Sequence, residues 1–116
     1  MAQFKIAARA ERDLVSILGL SEERWGTEGR ERYATLVSAA LQKIARDPLG
    51  PSSRERELVG PQMRSLHLRH AGSRRHVRDP VHIVFYRVTK TSIEIVRVVH
   101  ERMNPHAHVG QKSRAR

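Results

Sequence analysis

The sequence predicts an α+β fold of two layers, an N-terminal strand and an antiparallel helical hairpin followed by a three-stranded antiparallel meander, and three observations predict it. Apolar residues recur at helical spacing between Ala10 and Ile44. β-Branched and aromatic residues crowd the stretches after Met63, and a proline- and glycine-bearing segment divides the two regions. Helices first and consecutive strands afterwards, instead of alternating units, place helices on one face of an antiparallel sheet.

Each element follows from local pattern. Gln3 to Ala7 alternates through Phe4 and Ile6 and reads as a short strand. Leu14, Ile17, Leu18, Ser21 and Trp25 then fall on one stripe of an amphipathic helix, with Glu11, Asp13, Glu22 and Glu23 mostly off it. Gly26 reads as the terminator of this helix and Thr27 as the N-cap of a second, on which Tyr33, Leu36, Val37, Ala40, Leu41 and Ile44 recur. Pro48 ends it. A turn of about two residues between the helices makes them an antiparallel hairpin. Residues 48–61 hold three prolines and two glycines and read as a loop. Met63 to Arg69, Val81 to Val88 and Ser92 to His100 read as three strands of one meander.

Composition bounds what such a chain can do. Leu, Ile, Val and Phe make up 28 of the 116 residues, above the level at which highly charged chains stay unfolded. One thin core is affordable to a domain of this size, and a deep pocket for a large cofactor is not. We expect one domain over residues 1–109, followed by a basic, frayed tail over 110–116. No apolar run approaches a membrane span, and the first residues are charged where a signal peptide is apolar, so the expected location is cytoplasmic and no membrane partner is expected. With no cysteine, disulfides, thiolate zinc sites and thiol nucleophiles are excluded. No phosphate-loop, dinucleotide, nucleophile-elbow or zinc-protease motif occurs. His106 and His108 are spaced to share a metal with His100, but no closed ligand set accompanies them, so no metal and no cofactor are expected.

Charge is distributed unevenly. Residues 1–58 carry ten Lys/Arg against nine Asp/Glu, whereas residues 59–116 carry twelve against three. Eighteen of the 22 cations are arginine, the residue suited to bidentate pairing with carboxylate or phosphate, so an acidic partner is expected. Arg74, Arg75 and Arg78 make the turn before Val81 the most basic loop. Within the meander, Val81, Ile83 and Phe85 share one face and His82, Val84 and Tyr86 the other. In the last strand, Ile93, Ile95 and Val99 alternate against Val96, Val98 and His100. Both faces are apolar, and one of them is expected to be covered by a partner, with the chain's own loops or a second copy as the alternative.

SEERWG at the end of the first helical stripe, PVHIVFYRV in the second meander strand and IEIVRVVHERMNPHAHV to its C-terminal side resemble the ParE branch of the RelE/ParE toxins. The likeness covers about residues 3–109 and implies the two-layer RelE/ParE-like fold. It further implies the toxin of a type II toxin–antitoxin pair that poisons DNA gyrase and is neutralised by a small, acidic-tailed, ParD-like antitoxin of the ribbon-helix-helix type. Operator DNA would then be contacted indirectly, through the antitoxin. RelE-like relatives instead cut messenger RNA on the ribosome, which is the alternative activity.

Candidate residues follow. Leu18, Trp25, Val84, Tyr86, Val96 and Val98 are expected to meet the antitoxin, Trp25 having core packing in the corner between hairpin and sheet as its plainer role. Arg64, Arg97, His100 and Arg102 are expected to meet the target. Under the gyrase reading there are no catalytic residues. Under the RNA-cleaving reading, Arg64, Tyr86, His100 and Arg102 would supply phosphate contacts and proton transfer, with Glu101 as another base. Arg64, Arg87 and Arg97 have solvent, or pairing with Glu94, as their ordinary fate.

Overall fold

The computed structural model describes residues 3–72 and 77–105. The elements run β1 (Gln3–Ile6), α1 (Ala8–Arg46), β2 (Arg54–Glu55), β3 (Met63–His67), a 3-10 turn (Leu68–His70), β4 (His82–Val88) and β5 (Ser92–His100). The α+β expectation and the helix-before-sheet order hold.

The helical region departs from the expected hairpin. It is one run from Ala8 to Arg46 with a single non-helical residue, Gly26, at φ 75° and ψ −176°. That conformation is essentially reserved for glycine, so one residue does what a two-residue turn was expected to do. The two arms still face each other: Leu14 and Leu18 from the first line a groove with Ala34, Val37 and Leu41 from the second. Glu11 in the first turn and Lys43 and Arg46 in the last suit the helix dipole, and Pro48 stops the run. Lys43 Nζ also donates to the carbonyl of His70 at 2.8 Å, tying the helix end to the 3-10 turn.

The sheet also differs from a three-stranded antiparallel meander. It has five strands in the order β1-β5-β4-β3-β2. β1 runs parallel to β5, while the other neighbours are antiparallel. A parallel partner needs a long connection, and the whole of the chain between β1 and β5 provides it. β2 lies inside the stretch read as loop, and its two residues pair with Ser65 and Arg64. Strands this short leave no periodicity to read.

The alternation of β5 is reset by a bulge. Phe85 pairs with Arg97 but Tyr86 with Ile95, which leaves Val96 as the extra residue. Ile93, Ile95 and Val98 therefore join the core under α1, with Leu66, Val84, Tyr86, Leu36, Ala40 and Ile44. Val96 and Val99 pass to the other face, with Met63 and Phe85. The strict alternation expected from the sequence grouped Val98 with Val96, and the bulge separates them.

The second face is not open. Met63, Phe85, Val96 and Val99 are at most 4% exposed. Val59 and Ile83 pack against them, and the Arg56 guanidinium lies over the Phe85 ring at 5.6 Å. The expectation of a bare apolar sheet face awaiting a partner is thereby overturned in favour of a cover from the chain's own loop. Apolar residues on both faces here report two cores, one on each side of the sheet.

Candidate functional site

An apolar opening lies on the helical layer. Phe4, Leu14, Leu18, Ala34, Val37 and Leu41 line a groove of about 450 Å³ running between the arms of α1. Its origin is the width of the helical stripes. Ala10, Ile17, Ser21, Tyr33, Leu36, Ala40 and Ile44 already satisfy the sheet side, so Leu14 and Leu18, one helical turn apart, and Leu41 are apolar residues in excess of what the sheet can bury. Phe4 is 39% exposed at one end. An amphipathic helix or an extended segment with apolar side chains at regular spacing is the occupant such a groove accepts.

A charged clamp joins α1 to β5. Arg97 Nε and Nη2 donate to the two carboxylate oxygens of Asp13 at 2.7 and 3.0 Å, and the Val98 amide donates to Oδ2 at 2.9 Å. β1 ends at Ile6, and Ala7 makes the last backbone bond of that edge, to Ile95. Asp13 then serves the next part of the β5 edge in place of a strand.

A second polar knot anchors the loop after α1. Tyr86, fully buried, donates to the Pro48 carbonyl at 2.6 Å and lies 2.5 Å from the Ser53 hydroxyl. Arg64, opposite Tyr86 in the sheet, donates through Nε to the same hydroxyl at 2.7 Å and through Nη2 to the Ser53 carbonyl at 3.3 Å. Burial raises the Tyr86 phenol above its ordinary pKa.

A histidine group lies at the opposite end of β4. His82 and His100 are partners across β4 and β5, with ring centroids 5.7 Å apart. Tyr33 from α1 lies 2.6 Å from His82 Nδ1. Burial, reinforced by the charges that His100 and His67 can carry, pushes His82 down to about 4, and burial pushes Tyr33 up to about 12. His67 accepts the Arg69 amide at Nδ1, so its Nε2 carries the proton and donates to Glu101 at 2.7 Å. That hydrogen bond is the main reason the Glu101 carboxyl sits below its usual range. Among the described residues no group of three or more His, Asp or Glu is arranged to hold a metal ion. His106 and His108 lie outside the described residues, as do Arg74 and Arg75.

Residues 4–105 match the family described as the ParE toxin of the type II toxin–antitoxin system parDE. The chain belongs to the ParE toxin family. It is 36% identical over 110 residues to the Toxin ParE1 of Caulobacter vibrioides, covering 95% of this chain and all of that relative. It is 30% identical over 105 residues to the Toxin ParE1 of Mycobacterium tuberculosis, covering 89% and 93%. A solved chain of the chromosomal ParDE toxin–antitoxin system from P. aeruginosa shares the fold, with a TM-score of 0.67 at 21% identity, over 86% of this chain and 96% of that one.

In this ParE toxin the expected site residues separate into three groups. Leu18 lines the open groove. Val84, Tyr86, Val96 and Val98 are 0–2% exposed and serve the two cores, so they present nothing to a partner. Trp25 is 59% exposed and lines a concavity with Gly29, Arg32, Val77 and Arg78, which corrects the reading of it as a core residue. Gly29 permits this, because a Cβ there would strike that of Trp25.

Of the four arginine and histidine positions expected to face a target, Arg97 is committed to Asp13 and Arg64 to Ser53. Both are fastenings of the fold. Arg102 is exposed, with its amide on His100 Nδ1 at 3.1 Å. Arg87 takes the ordinary role foreseen for it, 3.8 Å from Glu94. The set required for RNA cleavage is not assembled: Tyr86 and His82 are four strand positions apart, so Arg64 and Tyr86 lie roughly 13 Å along the sheet from His100. The groove residues Phe4, Leu14, Val37 and Leu41 were missing from the expected site, although helical stripes wider than one face were the signal for them.

Proposed function

We propose that this ParE toxin is a cytoplasmic poison of DNA gyrase that acts by binding, and that a small ParD-like antitoxin silences it by laying an apolar segment into the groove between the arms of α1. The observation that carries the antitoxin half is the groove itself, lined by Phe4, Leu14, Leu18, Val37 and Leu41. The antitoxin's acidic residues would meet a chain of net charge +10, which speeds encounter and orients the segment. Ribbon-helix-helix parts of the antitoxin would carry the operator-DNA contact. Arg102, exposed just beyond β5, would meet the target.

Support for the gyrase half comes from family membership and from the dispersal of Arg64, Tyr86, His100 and Arg102, which leaves no assembled acid–base set among the residues expected to cleave RNA. Purified toxin is tested in gyrase supercoiling and cleavage-complex assays beside a ribosome-dependent messenger-cleavage assay. Inhibited supercoiling with intact messenger is the expected result. Unchanged gyrase activity at micromolar toxin overturns the proposal.

A further inference from the structure

The sheet face turned away from α1 carries a basic concavity that the antitoxin groove does not involve. Arg54, Arg56 and Arg69 surround it with Ser52, Ser65 and His67, and no carboxylate lines it. β2 creates the arrangement. It places Arg54 directly opposite Ser65 in the sheet, and the Arg56 Nε then donates to the Ser65 hydroxyl at 2.9 Å. Ser65 is 2% exposed, and while its oxygen accepts from Arg56 its own proton is still there to be donated.

Two of the charges in this concavity, those of Arg54 and Arg56, face no carboxylate in its lining. Among the described residues neither Arg54 nor Arg56 forms an ion pair. Glu55 is opposite Arg64 in the pairing, one step out of phase with Arg54 and Ser65. Glu101 is bonded to His67. Burial holds the Arg56 guanidinium below its ordinary pKa, and the like charge of Arg54 adds to the effect. A protein gains nothing in stability from bringing unpaired guanidinium groups together, whereas an oxyanion meets their planar donor forks directly.

We propose that this concavity binds one phosphate group, held by Arg54, Arg56 and Arg69 with the Ser65 hydroxyl as a further donor. Its volume of about 70 Å³ sets the size of the ligand. A water needs roughly 10–15 Å³ of such space, so the oxygens of one phosphate fit and whatever carries the phosphate stays outside. The phosphate comes either as the free anion or as a phosphodiester of single-stranded nucleic acid. The site is independent of the antitoxin and gyrase readings, and neither outcome below bears on them.

The test is calorimetric titration of the full chain with inorganic phosphate at constant ionic strength, and separately with a short single-stranded oligonucleotide. Saturable one-to-one binding is expected for at least one probe. Arg54→Gln weakens it roughly tenfold or more, as loss of a charge-assisted bond does, while Arg78→Gln, an exposed arginine outside this lining, leaves it unchanged. Arg54→Lys retains the charge without the fork and gives an intermediate loss, which guards against a folding artefact together with an unchanged thermal midpoint. Phosphate binding alone identifies the free anion as the ligand. Oligonucleotide binding displaced by phosphate identifies the phosphodiester. No saturable binding by either probe, or binding that Arg54→Gln leaves intact or that Arg78→Gln weakens equally, overturns the proposal.

Discussion

Asp13 and Arg97, 84 positions apart, close the gap between the helical layer and the sheet: two guanidinium nitrogens of Arg97 and the Val98 amide converge on one carboxylate at 2.7–3.0 Å. The side chains are only 16% and 13% exposed. Removing one partner leaves a largely desolvated charge without compensation, and the Val98 amide loses its acceptor at a point where no strand replaces it.

Asp13→Ala is therefore expected to destabilise the fold by about 3 kcal/mol, and Arg97→Ala by a similar amount. Urea denaturation of both variants and of the double variant checks this. The double variant should cost clearly less than the two single ones added together. Additive costs would mean that the two residues act independently.

This clamp shows what was legible in the sequence and what was not. Asp13 stands off the apolar stripe of α1 and Arg97 stands among β-branched residues, so each reads locally as a solvated charge, and only the approach of α1 to β5 joins them. The same holds for Tyr86, whose phenol bonds the Pro48 carbonyl across 38 positions. Periodicity, by contrast, depends only on near neighbours. The strand at Ser92–His100, the helical stripes and the breaking role of Gly26 were visible for that reason. The bulge at Val96 defeated the pattern because one extra residue reverses the faces beyond it, and β2, two residues long, hid in a proline-flanked stretch. As for the candidate site, the helical stripe that carries Leu18 and Trp25 was legible, whereas the valines expected beside them are core residues, Val84 and Val98 under α1 and Val96 on the other face.

Two glycines should respond oppositely to the same substitution. A Cβ at Gly26 or at Gly19 would meet nothing within 4 Å, so neither change is decided by crowding. Gly26 holds φ at +75°, and Gly26→Ala is expected to cost about 1–3 kcal/mol and to disturb the angle between the arms. Gly19 is helical and exposed, and Gly19→Ala is expected to stabilise by about 0.5–1 kcal/mol through the unfolded chain and helix propensity. Thermal denaturation of the pair checks the signs.

Groove and core residues should separate in a binding assay. Leu18→Glu puts a charge into the groove at the margin of the sheet-side core, where Leu18 is only partly buried, and it is expected to weaken the cognate antitoxin by at least about a hundredfold at a stability cost of about 1 kcal/mol. Tyr86→Phe removes the donor to the buried Pro48 carbonyl, and it is expected to cost about 1–3 kcal/mol of stability while antitoxin affinity stays within a few fold. Paired denaturation and binding measurements check both. Equal affinity losses in the two variants would place the antitoxin contact on the sheet instead.

The histidine group predicts how stability responds to acid. His82 titrates at about 4 in the fold against an ordinary value near 6.5, because burial and the neighbouring His100 and His67 disfavour its charged form. Tyr33, pushed up to about 12, stays protonated and donates to His82 Nδ1 at 2.6 Å, which also favours the neutral ring. A folded pKa below the unfolded one means that the unfolded chain binds more protons between those values. The stability contributed by His82 is thus fully present above pH 6.5 and is lost as the pH falls towards 4. The loss is on the order of 2 kcal/mol once solvent screening at this half-buried ring is allowed for. Glu101, also held low, loses its contribution in the same direction below its usual range. Urea denaturation from pH 7.5 to 4 should show this decline. His82→Gln should remove most of the part between 6.5 and 4, and Tyr33→Phe should raise the His82 titration midpoint seen by NMR. A flat stability profile in the unaltered chain would mean that His82 is as freely protonated in the fold as in the unfolded state.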